Sequence, residues 1–220
     1  MTTLTNSATG PHQGQPIITA GEPLAHASAA MILVHGRGAN AADILTLADH
    51  IGMPGFAYLA PQAARNTWYP QSFLADLDQN EPHLSSALET IAELVDHVLD
   101  AGTPAEKIVI GGFSQGACLT SEFAARNPKR YGGLLVLSGG LIGPPNTARN
   151  YTGTFSNMPV FLGCSNVDVH IPEERVHESA HVFEKMGAQV VKTIYADMGH
   201  TIIGDEIEQA KIIVQAVASD

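Results

Sequence analysis

Apolar positions along this chain switch between two patterns: short unbroken runs, and longer runs in which they recur three and four apart. The unbroken β-branched and aliphatic runs predict strands over 16–19, 31–35, 56–61, 108–113, 133–138, 160–164 and 190–195. Helical spacing predicts helices over 41–51, 83–101, 114–127, 172–186 and 206–218. In the second of these, Leu84, Leu88, Ile91, Leu94, Val95 and Val98 share one stripe, which reads as core-facing. Strands alternating with helices imply βαβ units. The expected fold is therefore α/β, a doubly wound and mostly parallel sheet in a single domain over 16–220 after a flexible tail over 1–15. The stretch 139–159, rich in Gly, Pro, Asn and Thr, joins two strands where a helix would be usual, and is expected to be a functional loop over a site. In such sheets ligands bind at the carboxyl ends of the strands, and each candidate residue below falls at such an end.

Composition narrows the class. With 220 residues, 45% of them hydrophobic, the chain can bury a full core without a disulfide scaffold, so Cys118 and Cys164 need not pair. A formal net charge of −11 disfavours nucleic acid and anionic membrane surfaces as partners. Residues 1–15 lack the basic and apolar regions of a signal peptide, and no apolar run approaches a membrane span. A cytoplasmic protein without membrane insertion is expected, with a homodimer left open.

The chemistry is concentrated around Gly112-Phe113-Ser114-Gln115-Gly116, between a predicted strand and a predicted helix. A G-x-S-x-G in that context is a nucleophile elbow, a sharp turn that lifts the serine hydroxyl clear of the sheet edge. Glycines are needed at both ends because a Cβ there would strike the neighbouring strand or helix. A serine hydroxyl needs a histidine base, and the base needs an orienting carboxylate. On this architecture the chain order is Ser, then Asp or Glu, then His. Asp168 follows the strand over 160–164 and His200 follows the last strand, so these complete the candidate triad. Asp197, three residues before His200, competes for the acid but reads as a turn residue; His35, His170, His177 and His181 are the rival bases. The oxyanion hole is expected from the backbone N–H of Gln115 and of Arg37, the latter in the His35-Gly36-Arg37-Gly38 loop. The loop over 66–74, carrying Trp68 and Tyr69, is expected to line one wall of the substrate pocket, with Leu141 and Ile142 opposite.

These residues resemble the phospholipase/carboxylesterase family of small α/β-hydrolases, which includes acyl-protein thioesterases. The resemblance rests on His35-Gly36-x-Gly38, Gly112 to Gly116, Leu137-Ser138-Gly139, the Asp168 to Pro172 loop and Met198-Gly199-His200-Thr201, and covers about residues 30–218. It implies a compact α/β-hydrolase fold without a large cap domain, no metal or organic cofactor, and Ser114, Asp168 and His200 as the triad. It also implies hydrolysis of carboxylic esters or thioesters. The chain departs from the family at Arg37 and Ala39, where Leu and Asp are more usual, and at Asp197, where a small residue or proline is.

Three rivals stand beside this reading. His177-Glu178-Ser179-Ala180-His181 matches the H-E-x-x-H zinc peptidase pattern, with Glu206 and Glu208 available downstream. Its histidines, however, lie beside the apolar stripe of Val176, Ala180 and Phe183, among glutamates, as on a solvated face. A noncatalytic binding module would be expected to lack a triad member, and all three are present. A changed acyl donor, such as a thioester, lactone or small amide, or a lysophospholipid, keeps the same triad. The expected partner is a small-molecule ester or thioester, and the expected acyl chains are short to medium.

Overall fold

The computed structural model describes residues 10–219. Seven strands form one sheet: β1 (Ile17–Gly21), β2 (Ala29–Val34), β3 (Phe56–Pro61), β4 (Ile108–Phe113), β5 (Gly133–Leu137), β6 (Pro159–Ser165) and β7 (Gln189–Tyr195). Five helices accompany them: α1 (Ala41–Ile51), α2 (His83–Asp100), α3 (Gln115–Arg126), α4 (Glu173–Lys185) and α5 (Gly204–Ser219). The strand order is β1-β3-β2-β4-β5-β6-β7, with β1 antiparallel to β3 and the other neighbours parallel. The chain moves outward in one direction from β2 to β3 and in the other from β4 onward. The crevice at the carboxyl ends of β2 and β4 is thus the switch point where α/β sheets bind ligands.

Two apolar layers cover the two faces, because each strand sends alternate side chains up and down. On β2, Ala30, Ile32 and Val34 pack with α2, α3 and α4, whereas Ala29, Met31 and Leu33 pack with α1 and α5. Burial on both faces explains why the central strands read as unbroken apolar runs. The stripe predicted on α2 is the one buried, with Leu84, Ile91, Leu94, Val95 and Val98 at 2% exposure or less and Leu88 partly covered. Helix α1 begins with a reciprocal cap in which the Asn40 side chain accepts the Asp43 amide and Asp43 accepts the Asn40 amide, and it ends at Gly52 with φ 58°. This is the α/β-hydrolase arrangement.

Two expectations change. Residues 1–9 of the expected tail lie outside the described residues, and packing begins earlier than residue 16. His12 is 1% exposed; its Nε2 donates to the Trp68 carbonyl at 2.8 Å and its Nδ1 accepts the Ala64 amide at 3.1 Å. A buried imidazole can anchor a polar segment in this way because one neutral ring supplies both a donor and an acceptor. The irregular stretch after β5 also differs from expectation, since it packs over α3 and α4 and not over the cavity described below. Leu141 and Ile142 are buried there because their amides find the Ser179 hydroxyl and the Glu122 carboxylate at 2.9 and 3.1 Å. Arg175 secures the same segment by donating to the carbonyls of Leu141 and Gly143 at 2.6 and 2.7 Å.

Glu206, in the first turn of α5, is fully buried and accepts the Ile203 amide at 3.0 Å, the return half of a capping box. Its other oxygen has no hydrogen-bond partner and stands against Gly163, where a Cβ would collide with it. Burial pushes this carboxyl up to about 7, against the opposing amide bond from Ile203. The folded chain therefore holds this proton over a range in which an unfolded glutamate has released it, so stability from this residue falls as pH rises from about 4.5 to 7. Glu206→Gln keeps an acceptor for Ile203 and removes the titration. It is expected to stabilise the protein by roughly 1–3 kcal/mol at pH 8 and to have little effect at pH 4.5. Denaturant unfolding at the two pH values checks this; an equal effect at both would refute it.

Candidate active site

Ser114 follows directly on β4 with φ 55° and ψ −119°, a conformation that costs about 1–3 kcal/mol and is held by its surroundings. Its amide bonds the Leu137 carbonyl at 3.0 Å. A Cβ on Gly112 would strike the Gly116 backbone, and one on Gly116 would strike the carbonyls of Val34 and His35. The two glycines thus let α3 approach the sheet closely enough for the serine to stand at its edge.

Because β4, β6 and β7 are parallel, the loops that follow them emerge at the same end. His200 Nε2 lies 2.8 Å from Ser114 Oγ, and His200 Nδ1 lies 2.7 Å from Asp168 Oδ2. A carboxylate can only accept, so Nδ1 carries the proton and Nε2 is left to accept from the serine hydroxyl. Asp168 also accepts the amides of His170 and Ile171 at Oδ1, at 2.8 and 3.1 Å. Burial alone would raise this carboxyl, but the bonds from His200, His170 and Ile171 outweigh it and hold its pKa below the ordinary value. The imidazole is flanked by Phe113 and His170, with ring centroids at 4.9 and 4.8 Å. Asp197 adopts φ 54° and gives its amide to Asn166 Oδ1 at 2.9 Å, so it shapes the turn.

Gln115 opens α3, and amides in a first helical turn lack intrahelical partners. The Arg37 loop ends β2 beside it, with Gly38 at φ 79° and its amide bonded to the Asn66 carbonyl at 2.7 Å. A cavity of about 490 Å³ opens over Ser114, Gln115 and His200, walled by residues 69–73 on one side and by His170 and Ile171 on another. Such an arrangement can polarise a hydroxyl toward a carbonyl carbon bound in the cavity and receive its proton on an imidazole.

Of the four expected wall residues, the structure brings only Tyr69 to this cavity. Trp68 is fully buried beneath, where its Nε1 donates to the His35 carbonyl at 2.9 Å. An indole N–H must find a partner when buried, and that need turns the ring inward. Leu141 and Ile142 are core residues, as described above. The loop over 66–74 was expected at the pocket, and its residues Pro70, Gln71, Ser72 and Phe73 do line the cavity; sequence reasoning missed Phe113 and Ile171, and the adjacency of His170 to His200. The signal for Phe113 was present, as the variable residue of the elbow; the others depend on loop conformation. Cys118 lies at the cavity floor as a free thiol, and burial pushes it up to about 12, so it stays protonated.

The helix carrying His177 and His181 presents them to solvent. His177 Nε2 meets Glu173 at 2.9 Å and its Nδ1 meets Lys192 Nζ at 2.6 Å, while His181 is 3.9 Å from Glu184. Glu178 is engaged by Arg149 and Arg175, each at 2.8 Å. Among the described residues, no three His, Cys, Asp or Glu side chains are grouped so as to hold a metal ion. No helix among them is long and apolar enough to cross a membrane.

Comparison with known proteins places this geometry in context. Residues 15–218 match the model of the phospholipase/carboxylesterase family. A phospholipase/carboxylesterase from Dyadobacter fermentans superposes with a TM-score of 0.88 at 43% identity, covering 97% of this chain and all of that one. Acyl-protein thioesterase 1 of Eremothecium gossypii is 28% identical over 209 residues, covering 85% of this chain and 87% of its own length. The Saccharomyces cerevisiae protein of the same name is 28% identical over 156 residues, spanning 69% of this chain and 66% of that protein.

Proposed function

Because this chain belongs to the phospholipase/carboxylesterase family, and is a hydrolase of the esterase and thioesterase type, we propose that it cleaves carboxylic esters of short to medium acyl chains. The observation that carries this reading is the single imidazole bridging Ser114 and Asp168 at 2.8 and 2.7 Å at the open end of the sheet. His200 takes the Ser114 proton as Oγ attacks the ester carbonyl. The amides of Arg37 and Gln115 hold the oxygen on which negative charge develops. His200 then returns the proton to the departing alcohol, leaving an acyl-enzyme. Water enters, loses a proton to His200, and releases the acid. Asp168 keeps the imidazole in the tautomer that can accept from serine and stabilises its charged form. The triad needs no cofactor.

Acyl thioesters are the second reading, supported by the fungal relatives named acyl-protein thioesterases. A chain-length series of paired esters and thioesters separates the two. The cavity is open and of limited size, and no cap layer covers it among the described residues. Each buried methylene adds up to about 0.8 kcal/mol, close to fourfold in kcat/KM, and one left in water adds little. Activity is therefore expected to rise over the first several carbons and then level off, with esters exceeding thioesters of the same acyl group. A continued rise to long acyl chains would refute the chain-length claim. Thioester preference across the series would replace the first reading by the second.

A further inference from the structure

Arg37 and Gln115, the two residues assigned to the oxyanion hole in the reading above, also meet one segment through their side chains. Arg37 Nη1 donates to the Pro70 carbonyl at 2.9 Å, and Nη2 donates to those of Tyr69 and Gln71 at 2.9 and 2.6 Å. Gln115 Oε1 accepts the Trp68 amide at 2.9 Å, and its Nε2 donates to the Tyr69 carbonyl at 2.8 Å. Residues 68–71 are thereby gripped from the catalytic side at every position. Buried Asn80 holds the far end, accepting the Gln71 amide at 2.8 Å and donating to the Ser72 carbonyl at 3.0 Å. Immediately beyond these bonds, residues 69–73 form one cavity wall.

The two grips serve different needs. Gln115 is buried at the start of a helix, where its backbone is already fixed. Arg37 lies between Gly36 and Gly38 in an exposed loop, and glycine-flanked peptides have little intrinsic preference for one orientation. The turn is closed by a long bond from the Ala39 amide to the Gly36 carbonyl, at 3.3 Å, and by the bond from the Gly38 amide to Asn66, so the Arg37 side chain adds a third tie that links this loop to 69–71. A guanidinium suits this because its planar fork has fixed donor directions and meets several carbonyls at once, which a lysine ammonium on a flexible stem does not.

We propose that the Arg37 side chain is a positioning residue: it locks the wall over 69–71 to the oxyanion loop, so that cavity shape and amide direction are set together. The proposal rests on the esterase reading above. It also assigns the guanidinium to three backbone carbonyls and not to an anionic group on the substrate. Losing an oxyanion donor outright costs about 10²- to 10³-fold in kcat, and a misplacement of about 1 Å costs up to about 10²-fold. Loosening the lock should fall below the first figure.

The test compares Arg37→Leu and Arg37→Lys with wild type on p-nitrophenyl butyrate and on a succinate monoester. The readouts are kcat, KM, the pH profile and inhibition by a trifluoromethyl ketone, which forms an oxyanion adduct with an active serine. Arg37→Leu is expected to lower kcat roughly 10- to 100-fold on both esters. Ketone affinity should weaken in proportion, with KM within about threefold and the midpoint of the pH profile unmoved. Arg37→Lys should recover only part of the loss. A kcat within twofold of wild type in Arg37→Leu overturns the proposal. So does a loss confined to KM for the succinate ester, which would make Arg37 an anion-recognition residue, or a displaced pH profile, which would put the damage at His200. If Arg37→Leu fails to fold by circular dichroism, Arg37→Lys and Arg37→Gln decide by the same measures. Failure of the esterase reading itself is seen separately, in the serine variant below.

Discussion

Ser114→Ala is expected to lower ester turnover by roughly 10⁵- to 10⁶-fold while leaving the fold intact. In the proposed reaction the hydroxyl oxygen is the atom that bonds to the substrate carbon, and its side-chain partner is His200 Nε2 at 2.8 Å. Removing it leaves Asp168 and His200 still paired at 2.7 Å and the Ser114 backbone bond to Leu137 untouched. Alanine is no worse suited than serine to φ 55°, so the melting temperature should move by only a few degrees. Cavity binding and the backbone amides would remain and account for the residual rate. Steady-state hydrolysis of a p-nitrophenyl ester is the measurement, supported by fluorophosphonate labelling with peptide mapping. Turnover near that of wild type, or an adduct on any residue but Ser114, would sink the assignment.

The second large effect is expected at Asp168. Asp168→Asn should reduce kcat by about 10⁴-fold, because the amide can present its NH₂ to Nδ1 and stabilise the tautomer whose Nε2 carries the proton. That imidazole cannot accept from serine. The amides of His170 and Ile171 can still be accepted by the asparagine oxygen, so the loop should keep its shape. Asp197→Asn should change kcat by less than about threefold, since Asn also tolerates φ near 54° and the Asn166 contact uses the backbone. Measuring both variants on one ester decides the matter. If Asp197→Asn proved the more damaging, the acid would belong to the last loop.

How far the sequence reached can be judged at particular residues. The strand ends at 34, 113 and 165 were legible to within a residue, because burial on both faces leaves an apolar run that stops where the chain leaves the sheet; the end at 195 was legible too, although edge strand β7 has no fully buried residue. The elbow was legible because its two glycines are demanded by contacts made within a few residues or with the adjacent strand. The pocket wall was legible as a segment, since 69–73 of the expected loop over 66–74 do line the cavity, but which of its side chains face the cavity was not. Trp68 and Tyr69 are neighbours of similar character and both almost fully buried, yet only Tyr69 also borders the cavity. That choice depends on the His35 carbonyl, which captures the indole N–H, and on the Gln115 amide, which holds both backbones. Neither partner is close in sequence. Leu141 and Ile142 were misplaced for a related reason: a loop rich in Gly and Pro looks free, and the side chains of Glu122, Arg175 and Ser179 that bury it belong to other helices.

By itself, then, the sequence determined the alternation of strand and helix, the sharp turn at Ser114 and the strand ends behind which Asp168 and His200 lie. These follow from local sterics and from a hydrophobic period that each segment carries alone. Tertiary structure decided which side chains face the cavity and what Arg37 does with its charge. Those outcomes turn on long-range hydrogen bonds, such as that from Arg37 to the Gln71 carbonyl, for which many partners compete until the sheet has fixed their positions.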